Sequence, residues 1–212
     1  MKRQGFIFDL DGTLLDTIPV CYAAFHKVFQ KYLGRKYSDK EIAALFGPTE
    51  EGIFKKLLPH CWLDALDDYL LEYEKAVRKN TLFPGIIEAL QLLKSKRYHL
   101  AIVSGKGPQS MEISLEASGL IDYFEHVITG SEQGARKPDH LRQVLRLWNM
   151  VPEEVAYIGD TAYDVQAAKE VGLLSLGALW APTAEVEKVQ KSRPFKAFQD
   201  VAVLIQWIEE EF

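Results

Sequence analysis

Two kinds of apolar pattern divide the chain. Near its start Phe6-Ile7-Phe8 forms a dense run of strand-forming residues, too short for a helix, that ends in Asp9-Leu10-Asp11-Gly12-Thr13-Leu14. This predicts a buried strand running into a turn. A different spacing follows, with Ile18, Tyr22, Phe25, Val28, Phe29 and Tyr32 recurring at the period of a helix that Asp16 or Thr17 caps and Gly34 ends. Ser38-Asp39-Lys40-Glu41 reads as a capping box opening a short helix through Phe46, and Gly47-Pro48-Thr49 breaks the chain before a helix that stops near Pro59. Trp62, Leu66, Tyr69, Leu70, Tyr73 and Val77 mark one more helical face. Residues 16–80 therefore read as helical throughout.

After Phe83-Pro84-Gly85 the pattern changes to alternating helices and strands. Strands are predicted at His99–Val103, 126–129, 155–158, 173–176 and 195–198. Helices are predicted at 84–96, around 110–117, from Pro138 through Trp148, up to Glu170, after Pro182 and at the end of the chain. Strands separated by helices imply a mainly parallel sheet with helical crossovers, an α/β fold. Two domains follow: an α/β core of residues 1–15 and 81–212, and an inserted all-α cap of residues 16–80 that leaves and rejoins the core beside the Asp9 loop.

Composition narrows the classes. The chain has 212 residues, 48% of them apolar and 26% charged, enough to bury a proper core. A net charge of −5 with both signs interspersed argues against nucleic-acid partners, which select a basic patch or stripe. Asp9 and Asp11 interrupt the first apolar run long before it could span a membrane, so a cytoplasmic protein is expected. Cys21 and Cys61 are far apart and expected to be buried free thiols, and the five histidines show no paired ligand spacing.

The chemistry lies where strands end. Asp-Gly after an apolar run is either a hairpin turn or the strand-to-loop switch at which open α/β sheets bind ligands. The rest of the chain favours the second reading, because Ser104 follows another strand, Asp160 and Asp164 follow a third, and Lys137 lies in a loop between them. Asp9 is ionised at neutral pH and can act as a nucleophile without an activating base. Clustered carboxylates repel one another and a phosphate unless a divalent cation is present, so Asp9, Asp160 and the main chain of Asp11 read as Mg²⁺ ligands. Lys137, Ser104 and the Gly105 N–H can hold phosphoryl oxygens, and Asp11 can exchange protons with the leaving oxygen and the attacking water.

The ordered set Asp9-Leu10-Asp11-Gly12-Thr13-Leu14, Ser104, Lys137-Pro138 and Gly159-Asp160-Thr161-Ala162-Tyr163-Asp164 resembles the haloacid-dehalogenase superfamily of phosphohydrolases. The helical insertion is similar to the small α-helical cap of its phosphoglycolate-phosphatase-like branch. This resemblance implies a Rossmann-like three-layer core and an aspartyl-phosphate on Asp9. It further implies acid/base work by Asp11, phosphate contacts from Thr13, Ser104, Gly105 and Lys137, magnesium on Asp9, Asp11 and Asp160, and a supporting role for Asp164. An acid at Asp11 points to phosphate esters or anhydrides of small metabolites, with phosphoglycolate or a sugar phosphate as the expected class. A pyrophosphatase, a phosphosugar mutase and a non-catalytic binding module are the alternatives, and the role of Lys106 stays open.

Overall fold

The computed structural model describes residues 4–77 and 81–211. The basic start Met1-Lys2-Arg3 and the return of the insertion near residue 80 lie outside the described residues. Six strands form one sheet: β1 (Gly5–Phe8), β2 (His99–Val103), β3 (His126–Ile128), β4 (Val155–Gly159), β5 (Leu174–Ala178) and β6 (Lys196–Phe198). Their order is β3-β2-β1-β4-β5-β6, and every pairing is parallel. The hairpin reading of Asp-Gly fails here, because both neighbours of β1 run parallel to it, with Phe8 opposite Ile102 on one side and Ile158 on the other.

Side chains alternate along a strand, and in this sheet both faces are covered, which is why the strands read as unbroken apolar runs. Phe6 and Phe8 join Leu100, Ile102, Ala156 and Ile158 in a core closed by α5 (Ile86–Ser95), α6 (Pro108–Ser118) and α10 (Val201–Glu211). Ile7 points the other way, to Ala101, Val103, Val155 and Tyr157 beneath α7 (Lys137–Trp148) and α8 (Ala162–Val171). A short helix, α9 (Val186–Lys191), buries Val189 against Val165 and Leu179. The architecture is a Rossmann-like α/β fold.

Between β1 and α5 the described residues make four helices: α1 (Ile18–Leu33), α2 (Asp39–Ala43), α3 (Glu50–Leu57) and α4 (Trp62–Val77). They bury their own apolar cluster. On α1 the buried positions are Cys21, Ala24, Phe25, Val28 and Phe29, the spacing of a single helix face. Phe25 sits at the centre, its ring 4.6 Å from that of Tyr69 and 5.5 Å from that of Phe54. Aromatic contacts of this kind contribute about 1 kcal/mol each beyond burial. The Ser38–Glu41 capping box forms as expected, but α2 stops at Ala43 rather than Phe46. Cys61 is only half-buried, whereas Cys21 is buried; both thiols are free.

The four helices are fastened to the sheet layer through polar contacts. Glu50, in the first turn of α3, accepts hydrogen bonds from the Gly107 N–H at 2.7 Å and the Ser110 hydroxyl at 2.6 Å, at the start of α6. Thr49 N–H donates to the Ser131 carbonyl at 3.1 Å, and Lys55 pairs with Glu132 at 2.7 Å. Tyr73 on α4 shares a 2.8 Å hydrogen bond with Ser114. No helix among the described residues is long and apolar enough to cross a membrane.

Candidate active site

The strand order decides which loops meet. With β1 between β2 and β4, the segments that leave their carboxyl ends lie side by side, and the crossovers diverge to opposite faces between β1 and β4. Asp9 follows β1, Ser104 follows β2 and Asp160 follows β4. The Asp9 N–H donates to the Ile158 carbonyl at 2.8 Å, and the chain then turns tightly, with the Gly12 N–H bonded to the Leu15 carbonyl. Gly12 has φ +79°, and a Cβ there would stand 2.3 Å from Asp160 Oδ2. Only glycine supplies both the left-handed backbone and the space for that carboxylate.

Lys137 is not in a loop; it is the first residue of α7, where Pro138 fits because a first-turn N–H needs no partner. Its Nζ donates to Asp9 Oδ2 at 2.9 Å and also to Asp164 Oδ1. Asp164 is itself saturated. The same Oδ1 accepts from the Tyr157 hydroxyl at 2.9 Å, while Oδ2 accepts from the Thr161 N–H at 2.9 Å and its hydroxyl at 2.6 Å in the capping box that opens α8. Thr13 is fully buried and off the cavity wall; its hydroxyl reaches Asp160 Oδ1 at 3.3 Å. Ser104 and Gly105 do line the cavity, with Asp9, Asp11, Lys137 and Asp160.

Burial governs the charges. It pushes the Asp9 carboxyl up to about 6 even though Lys137 pulls the other way. Burial, with Asp164 and Asp9 adding to it, holds Asp160 well above the usual carboxylate range. For Lys137, burial opposes the charge, but Asp164 and Asp9 outweigh it and keep the ammonium protonated. Asp164 is likewise held below its ordinary value, because Lys137 and Thr161 overcome its burial. Asp9, Asp160 and Asp164 each offer an oxygen within 4.8 Å of the others, with one ammonium among three acids. Since the oxygens of Asp164 are taken, Asp9 and Asp160 are left short of positive charge. Such hard, buried oxygen donors suit a small divalent cation.

Asp11 faces a second cluster that sequence reasoning left incomplete. Lys106, buried two residues beyond Ser104, places Nζ 3.2 Å and 3.4 Å from the two Asp11 oxygens, 3.9 Å from Glu50 and 4.2 Å from the centre of the Tyr73 ring. Thr17 is the residue preceding α1, but its hydroxyl donates to Asp11 Oδ1 instead of capping the helix. The only signal for Lys106 in the sequence is its place in Ser104-Gly105-Lys106; nothing local marks Glu50.

These groups open into a cavity of about 520 Å³ between the sheet edge and the four helices. Polar chemistry lines the sheet side. The helical side contributes Ile18, Tyr22, Phe25, Phe46, Ile53 and Tyr69.

A family described as haloacid dehalogenase-like hydrolase matches residues 6–178. The chain is 30% identical over 185 residues to a Listeria monocytogenes pyrophosphatase, PpaX, covering 85% of each chain. It is 32% identical over 183 residues to a phosphoglycolate phosphatase of Thiobacillus denitrificans, covering 80% of each. Among solved structures, a haloacid dehalogenase-like family hydrolase from Streptococcus pneumoniae superposes with a TM-score of 0.77 at 26% identity, over 97% of this chain and 98% of that one. The match covers β1 through β5 and therefore every carboxylate and lysine gathered at the sheet edge, and on that ground the chain belongs to the haloacid dehalogenase-like hydrolase family.

Proposed function

We propose that the protein is a Mg²⁺-dependent phosphatase that hydrolyses a small phosphorylated metabolite through an aspartyl-phosphate on Asp9. The observation that carries this reading is the convergence of Asp9, Asp160 and the Lys137 ammonium, 2.9 Å from Asp9, on a cavity that Asp11 also lines. Asp9 and Asp160, with the main chain of Asp11, would hold the cation. When bound, it would neutralise charge on the carboxylates and the phosphoryl oxygens.

The residues divide the work. Lys137, Ser104 and the Gly105 N–H receive the phosphoryl oxygens, and Asp164 with Tyr157 fixes the lysine against Asp9. The Thr13 hydroxyl, 3.3 Å from Asp160 Oδ1, orients that carboxylate. An Asp9 oxygen forms a bond to phosphorus as the ester oxygen departs with a proton from Asp11. Asp11 then takes a proton from water, whose oxygen attacks the same phosphorus, freeing phosphate and restoring the Asp9 carboxylate. Residues 16–80 act as a cap that closes over the site and excludes bulk water, fastened by Glu50 and Lys55. The free thiols suit a reducing compartment, the cytoplasm.

Release of phosphate from p-nitrophenyl phosphate with Mg²⁺, lost in Asp9→Asn and Asp160→Asn and abolished by chelator, is the expected result. Undiminished activity in Asp9→Asn rules the mechanism out. Pyrophosphate and phosphoglycolate, the substrates in the names of two relatives, are the second reading.

A further inference from the structure

The two sides of the cavity make different demands on a ligand. On the sheet side, Lys137, Ser104 and Gly105 suit a phosphoryl group. The wall built by α1–α4 and their loops is apolar and aromatic, and no lysine, arginine or histidine from the described residues 16–77 lines it. Nearer the sheet, Lys106 pairs with Asp11 at 3.2 Å and lies 3.9 Å from Glu50, Arg136 stands half-exposed at the rim beside Asp139 at 3.0 Å, and burial lowers the pKa of His140, favouring its neutral form. A second phosphate or a carboxylate on the departing half, set against this helical wall, would lose water with no cation from the wall to replace it, at a cost that one apolar contact does not offset.

What the wall does offer is specific. Phe46 is 41% exposed, although it stacks on Tyr22 with ring centres 5.8 Å apart and planes 11° from parallel. The two line the same cavity. Deeper in, the Tyr69 hydroxyl is buried with no oxygen or nitrogen partner, only the Cys21 thiol beside it. This combination suits a flat or bulky apolar body with at most one neutral polar group to meet Tyr69.

Resting on the phosphatase reading above, we propose that the substrate is a phosphate monoester of an uncharged aromatic or bulky apolar alcohol, not of a short acidic or polyhydroxylated one. The departing alcohol lies along Tyr22 and Phe46, while its phosphoryl group meets Lys137. Contacts of methylene size discriminate by roughly 10–200-fold, so the preference is measurable.

The test compares kcat/KM with Mg²⁺ for benzyl phosphate, 2-phosphoglycolate, glycerol 1-phosphate and pyrophosphate, the three esters having leaving alcohols of similar basicity. Benzyl phosphate is expected to exceed each of the others at least tenfold. Phe46→Arg, at a half-open position that tolerates a long side chain, is expected to cut that ratio against phosphoglycolate at least tenfold, mainly through KM. Equal or faster turnover of phosphoglycolate, glycerol phosphate or pyrophosphate overturns the inference and leaves the phosphatase reading standing, as does a ratio unmoved by Phe46→Arg. Phosphate released from none of the four, nor from p-nitrophenyl phosphate, overturns both.

Discussion

Lys106, buried, and Asp11, partly buried, form an ion pair across 95 residues of chain, with Nζ 3.2 Å from one carboxylate oxygen and 3.4 Å from the other. The lysine side chain is 1% exposed, so its charge is matched by Asp11, Glu50 and the Tyr73 ring rather than by water. It holds the proposed proton-transfer group where α1 begins.

Removing one partner of such a pair strands the other. Lys106→Met is expected to lower stability by about 3 kcal/mol and turnover by at least tenfold. The double variant with Asp11→Asn should recover part of the stability but none of the activity. Urea unfolding of the two single variants and the double variant measures the coupling, and additive losses would show that the contact carries no coupling energy.

For Asp9, the sign of the pH dependence follows from its raised pKa, from 3.8 to about 6. Below about pH 3 the carboxyl is largely protonated in the folded and unfolded chain alike, and its burial costs little. As pH rises from about 4 to 6 the unfolded chain gives up its proton first, so stability falls, by about 3 kcal/mol once above 6. In the metal-free protein Asp9→Asn should therefore raise the unfolding temperature at pH 7.5 and leave it nearly unchanged at about pH 3. Mg²⁺ at a hundredfold excess over its Kd should restore about 2.7 kcal/mol to the natural chain and little to Asp160→Asn.

Glu50 joins α3 to α6 through two short hydrogen bonds. Glu50→Ala leaves the Gly107 N–H and the Ser110 hydroxyl without that acceptor, at an expected cost of about 1–3 kcal/mol. Hydrogen exchange at the Gly107 amide should accelerate tenfold or more, while amides in the centre of β1 change only with global stability.

The two thiols should differ in reactivity. Burial pushes the Cys21 thiol up to about 12, whereas Cys61 is half-exposed. Iodoacetamide at pH 8 is expected to label Cys61 alone in the native protein and both cysteines in denaturant, as read by peptide mass.

Periodicity made most of the fold legible. The strand at His99–Val103 and the glycine that ends α1, Gly34, fall where the pattern puts them. Asp9, Ser104 and Asp160 were legible because each ends an apolar run. What local pattern could not reveal are partnerships made in space. Thr17 has the chemistry of a helix cap and gives its hydroxyl to Asp11 instead, and Thr13 turns its hydroxyl to Asp160 rather than into the cavity. Lys106 and Glu50 look like ordinary charged residues until packing removes their water.

The central place of β1 has a bearing on how the molecule comes into being. Its two neighbours arrive late, β2 from residue 99 and β4 from residue 155, while α1–α4 can associate from nearby segments as soon as they are made. On a ribosome the aspartates of the first turn are thus translated long before the strand that brings their counterpart, so the nascent polypeptide carries no crowded acidic centre. The acidic cluster at the sheet edge is complete only once Val155–Gly159 lies beside Gly5–Phe8, because Asp160 follows directly on that strand.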